Sequence, residues 1–151
     1  MTDAVVIDAS VALKWVIAEE LSNGAHSFLE DCRRFRHRIV APPHLHSEVA
    51  NALHQRFRRK DLSEDETDEA LANFSALGIQ IIAPPDLYQK ALTIARGHQL
   101  PSIYDALYVS LADTLKVDLW TDDQRLLKAL RTALPWVRAI ADYGKGLDDS
   151  D

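Results

Sequence analysis

Several acidic side chains stand where packing alone would not put them. Asp8 closes the apolar run from Ala4 to Ile7, and Asp122 and Asp123 follow a second run at Leu119-Trp120-Thr121. Asp105 lies in SIYDALYVSLA, a segment apolar almost all round on a helical wheel, with no Lys or Arg within one turn on either side. Glu48 borders the helical stripe Leu45, Val49 and Ala52. An uncompensated charge on a buried surface is too costly to keep, so such acids call for a cation supplied from outside. Donors that are all oxygen select a hard ion, Mg²⁺ or Mn²⁺. His44 and His46 stand side by side but no matching His motif follows them.

Taken singly, each acid has a plainer explanation. Asp8, Asp105 and Asp123 suit helix starts, where backbone N–H groups and the helix dipole favour a carboxylate, and Glu48 suits a solvated surface. Four such placements at strand ends and on apolar helix borders make one shared site the better account.

The elements that must position these acids follow from periodicity and punctuation. Ala4 to Asp8 reads as a strand and tight turn, followed by a helix through Val11, Leu13, Trp15 and Val16. A helix from Gly24 to Arg34 and a strand at Ile39 to Ala41 come next, and Pro42-Pro43 forces a break before a new helix near His44. Ser63 and Glu66 stand in capping-box register, which predicts a second helix making a hairpin with the first. Gly78 ends it, and the run Ile79 to Ile82, closed by Pro84-Pro85, predicts a buried parallel strand. Helices over 86–98 and 103–116, a strand over 118–121, a helix over 123–131 and a last strand over 137–140 complete the pattern. Trp15, Trp120 and Trp136 are expected in the core.

Strands alternating with helices across short connections predict an α/β fold of three layers, α/β/α, around a parallel sheet of about five strands. Ligands of such sheets bind beyond the carboxyl ends of the strands, so Asp8 and the 121–123 corner face one crevice.

Bulk properties set the outer limits. At 151 residues and 47% hydrophobic, residues 1–143 are expected to form a single domain, with 144–151 as an acidic, flexible tail. A net charge of -6 argues against a general nucleic-acid coat protein. The charge is nevertheless segregated, with basic clusters at Arg33, Arg34, Arg36, His37 and Arg38 and at Arg56, Arg58, Arg59 and Lys60. The lone Cys32 allows no intrachain disulfide, and no apolar run is long enough for a membrane span or a signal segment, which places the chain in a reducing cytoplasm.

Four strings, VIDASVALKWV, SEVANAL, SIYDALYVSLA and LWTDDQRLL, resemble the ordered motifs of PIN-domain nucleases, and of VapC-type toxins of type II toxin–antitoxin systems in particular. The resemblance spans nearly the whole chain. It implies an Mg²⁺- or Mn²⁺-dependent endoribonuclease whose acidic metal site is Asp8, Glu48, Asp105 and Asp123, with Ser10 and Thr121 orienting them. The family pattern of Thr, any residue, then Asp selects Asp123 over Asp122. It also implies cleavage of RNA to a 3′-hydroxyl and a 5′-phosphate by an activated water, a VapB-like antitoxin partner and homodimerisation. Beside an RNA substrate the two basic clusters become rails for phosphates flanking the crevice, with Arg56 and Arg59 as contacts.

Competing readings fit less well. A haloacid-dehalogenase-like phosphatase wants an Asp where Ser10 stands, and lacks its lysine motif here. A receiver domain wants paired acids after the first strand and a mid-chain Asp near Ile79 to Ile82. A noncatalytic PIN-like module that binds RNA or protein remains the alternative, opposed by the full acid set.

Overall fold

The computed structural model describes residues 3–18 and 22–144, so residues 145–151 of the expected acidic tail lie outside the described residues. Strand β1, Ala4–Ile7, is short and rich in β-branched residues, and its Val6 and Ile7 are fully buried. Helix α1, Ala9–Val16, begins directly after it, and α2, Ser22–Arg34, leads to β2, Arg38–Ala41. Helices α3, Leu45–Arg58, and α4, Glu64–Ser75, pack as the expected hairpin before β3, Gln80–Ile81. Helices α5, Leu87–Gly97, and α6, Ile103–Leu115, pack closely together and return the chain to β4, Leu119–Thr121. Helix α7, Gln124–Leu130, and β5, Val137–Ala139, complete the sheet, and a 3₁₀ turn follows at Ile140–Asp142.

The strands pair in parallel in the order β3-β2-β1-β4-β5. The chain therefore builds outward from β1 through β2 to β3, then crosses back to add β4 and β5 on the other side. That reversal makes the carboxyl ends of β1 and β4 the topological switch point, where the sheet opens a crevice. Val6 pairs with Val40 on one side and Leu119 on the other, so the strand that carries Asp8 is fixed from both flanks.

Two sequence expectations change. The run Ile79 to Ile82 is parallel but not buried: only Gln80 and Ile81 form the strand, and both are exposed. β3 is an edge strand, with a neighbour on one side only, so Ile81 is left exposed while Ile79 and Ile82 pack partly against the core. The last strand stops at Ala139, because Ile140 opens the 3₁₀ turn.

Local chemistry sets several element ends. Ser63 and Glu66 make both bonds of the capping box, at 3.1 and 3.0 Å. Lys116 adopts φ 57° and ends α6 in the left-handed region. In the core, Trp15 stacks on Phe28, which also packs on Trp120 and Tyr143, and the Trp15 indole N–H donates to the Ala25 carbonyl at 2.7 Å. Trp136 is only partly buried, packed against this core from its rim.

Candidate active site

Asp8 is the N-cap of α1, held at the carboxyl end of β1. Its Oδ1 accepts from Ser10 Oγ at 2.6 Å and from the Val11 N–H at 3.3 Å, and its Oδ2 accepts from the Thr121 hydroxyl. Each hydroxyl also accepts from a backbone N–H of the turn after β4. Ser10 Oγ accepts from Asp122 N–H at 2.8 Å, and Thr121 Oγ1 accepts from Asp123 N–H at 3.0 Å. Ser10 and Thr121 thus stitch the end of β1 to the end of β4.

Asp8 is 5% exposed, and burial pushes its carboxyl up to about 6. The bonds from Ser10, Thr121 and Val11 pull it back, while the Asp123 charge adds to the rise. Asp105, in the first turn of α6, is only partly buried, and its carboxyl is also raised, first by burial and then by the charges of Asp123 and Glu48. His44 and Arg125 oppose that rise. Asp123 therefore acts on both Asp8 and Asp105, and Glu48 acts on Asp105, so the four expected acids share one negative field.

The adjacent acids after β4 diverge. Asp122 Oδ2 lies 3.1 Å from the ammonium of Lys14, a lysine that α1 buries almost completely. Asp123 caps α7, its Oδ1 accepting from the N–H groups of Arg125 at 3.0 Å and Leu126 at 3.1 Å. Glu48 sits in the first turn of α3, where its Oε1 accepts from the Tyr108 hydroxyl at 2.9 Å and lies 2.8 Å from His44 Nε2.

Among the described residues, no three His, Cys, Asp or Glu side chains stand grouped closely enough to hold an ion as they are placed. The donor chemistry nevertheless suits a divalent cation. Every candidate is a carboxylate, two of them are raised first by burial and further by a neighbour's charge, and a hard cation relieves both. Within the described residues, Oδ2 of Asp123 and Oε2 of Glu48 carry no hydrogen bond, which leaves them available as ligands.

The predicted rails are not at the crevice. The first basic cluster precedes β2, and Arg38 pairs with Asp3 at the amino ends of the strands, opposite the acids. Arg56 lines a cavity of about 530 Å³ with Val16, Ile17, Asp61 and Glu66, at the far end of α1 from Asp8. Arg59 pairs with Asp61 at 3.3 Å. The cation that the fold does bring to the acids is Arg125. It lines a cleft of about 360 Å³ together with Asp105, Asp123, Gln99, Pro101 and Leu126.

Lys14, Tyr108 and Arg125 were not legible as site residues, and His44 only as a histidine without a metal motif. The available signal was polarity in the wrong place: Lys14 inside ASVALKWV and a tyrosine hydroxyl inside the apolar α6.

The acidic corner at the β1/β4 switch point stands where open parallel α/β sheets bind their ligands. The PIN domain family model matches residues 5–131, and the chain belongs to the PIN-domain family. It is 29% identical over 126 residues to ribonuclease VapC12 of Mycobacterium tuberculosis, covering 83% of this chain and 91% of that protein. It is 31% identical over 125 residues to ribonuclease VapC3 of Pyrobaculum aerophilum, covering 80% and 90%. The crystal structure of PAE2754 from Pyrobaculum aerophilum superposes with a TM-score of 0.67 at 20% identity, covering 93% of each chain, which supports the fold.

Proposed function

We propose that this chain is a divalent-metal-dependent endoribonuclease acting as the toxin of a toxin–antitoxin pair. The observation that carries the reading is the gathering of carboxylates at the switch point of the sheet, where the charge of Asp123 acts on Asp8 and Asp105 and that of Glu48 acts on Asp105. Similarity to two VapC ribonucleases over most of the chain supports RNA as substrate and a VapB-like antitoxin as partner.

Asp8, Glu48, Asp105 and Asp123 would hold Mg²⁺ or Mn²⁺, which supplies charge neutralisation for the phosphodiester and acidifies the attacking water. The protein's own contribution is placement. Ser10 and Thr121 set both oxygens of Asp8, Lys14 pairs with Asp122, and the α7 cap aims Asp123. The cleft beside Asp105 gives room for the nucleotide next to the scissile phosphate, with Arg125 as its cation.

We read residues 1–143 as one domain, homodimerisation as part of the family pattern, and a reducing cytoplasm as the setting suggested by the single buried Cys32. No described helix is long and apolar enough to cross a membrane.

The product ends test the reaction. Incubation of a mixed RNA pool with Mn²⁺ is expected to yield fragments with 5′-phosphates and 3′-hydroxyls, and Asp105→Asn is expected to abolish them. Cyclic phosphate ends, or cleavage that survives in the folded Asp105→Asn variant, would contradict the proposal.

A further inference from the structure

Glu48 is gripped by two side chains whose polar atoms have little else to do. His44 Nε2 lies 2.8 Å from Glu48 Oε1 and 2.9 Å from the Tyr104 carbonyl oxygen. A carbonyl oxygen only accepts, so the ring carries its proton on Nε2 and donates it to Tyr104, with Glu48 Oε1 in ion-pair contact beside it. The other ring nitrogen, Nδ1, is buried and meets no hydrogen-bond partner, so the polar work of this histidine falls on the Nε2 side. Its ring packs on Tyr108 with centroids 4.5 Å apart.

Tyr108 is 1% exposed, and its hydroxyl donates to the same Glu48 oxygen at 2.9 Å. One buried hydroxyl on α6 therefore ties that helix to α3, which carries Glu48. Packing alone would be served as well by phenylalanine, because a buried hydroxyl gains only what its partners return.

The Tyr108 hydroxyl bond and the close His44 Nε2 contact both fall on Oε1, so the carboxylate cannot rotate without losing both. Oε2 carries no hydrogen bond among the described residues. We propose that His44 and Tyr108 are positioning residues that clamp one oxygen of Glu48 and so preset the other for a divalent cation. The proposal rests on the metal-site reading above and adds to it the two groups that order the fourth acid. Ligand-orienting partners of this kind typically change metal affinity by about 10–100-fold when removed.

Calorimetric titration of the full chain with Mn²⁺, alongside thermal melts, tests it without reference to cleavage. Tyr108→Phe and His44→Ala are each expected to weaken Mn²⁺ binding about tenfold. His44→Gln, whose amide N–H can occupy the place of Nε2–H, is expected to recover most of that loss. In a Glu48→Gln background Tyr108→Phe should add less than about a twofold change, because both substitutions break the same link. Wild-type affinity in Tyr108→Phe and His44→Ala, or an equal loss with and without Glu48, would overturn the clamp while leaving the metal site standing. Absence of Mn²⁺ binding by the unsubstituted protein would overturn both. Should Tyr108→Phe unfold, the contrast between His44→Ala and His44→Gln carries the same test.

Discussion

Replacing Asp8 by asparagine should make the metal-free protein more stable at neutral pH while removing its function. The Asp8 carboxyl rises from 3.8 to about 6 on folding, chiefly through burial. That gap corresponds to about 3 kcal/mol of destabilisation once the group is ionised in both states. Below pH 4 the carboxyl is protonated folded and unfolded, so nothing is lost. Between about 4 and 6 the folded chain holds a proton that the unfolded chain has released, and stability falls as pH rises. Above about 6 the whole penalty is present. Asparagine is neutral throughout and removes it. Its amide nitrogen cannot accept the Thr121 hydroxyl proton, which gives back about 1 kcal/mol. The net gain is about 2 kcal/mol at pH 8, or about 4–8 °C in Tm for a chain of this size. Thermal melts with chelator from pH 4 to pH 8 read it directly. The gain should vanish at pH 4, and millimolar Mn²⁺ should stabilise the wild type but not the variant. A variant that melts below the wild type at pH 8, or by the same margin at both ends of the range, would refute the burial argument.

Other consequences follow from the same geometry. Asp122→Asn should destabilise by about 1–3 kcal/mol, because it weakens one partner of the buried Lys14. It should leave Mn²⁺ affinity within about twofold, whereas Asp123→Asn should abolish binding; calorimetry on both variants decides which acid belongs to the site. Arg125→Ala should weaken RNA binding to a catalytically silent Asp105→Asn protein and lower its salt dependence by about one phosphate contact. Arg56→Ala and Arg59→Ala should each do less in the same fluorescence-anisotropy titration, and a larger loss there would restore the rails inferred from the charge runs. Ser63→Ala removes the capping-box acceptor and should cost about 1 kcal/mol in chemical denaturation with no effect on metal binding.

The acids were legible because each breaks a local rule: a carboxylate at the end of AVVI, another after LWT, a third in the apolar α6. The short connections likewise announce a parallel sheet. What local pattern does not contain is strand order. The apolar stretch around Gln80 and Ile81 looks like an interior strand, and only the crossover from β3 to β4 shows that it is an edge. The same limit hides where the first basic run falls, since a cluster that leads into a strand lies at the amino end of the sheet, whatever its charge. Arg125 reached the crevice because the cap of α7 turns the chain there, and no charge run marks it. Tyr108 was invisible for another reason. Its partner Glu48 is 60 residues away, and a tyrosine among Leu, Val and Ala reads as core until its hydroxyl is located.

The most direct test of the account is cleavage of a mixed RNA pool by the purified chain, first in chelator, then with Mn²⁺ restored, alongside folded Asp8→Asn and Asp105→Asn. The account predicts no cleavage in chelator, cleavage on adding Mn²⁺, and none from either variant. Cleavage that persists in chelator, or in a variant lacking one of these carboxylates, would contradict the claim that the acids at the β1/β4 switch point form one metal-dependent nuclease site.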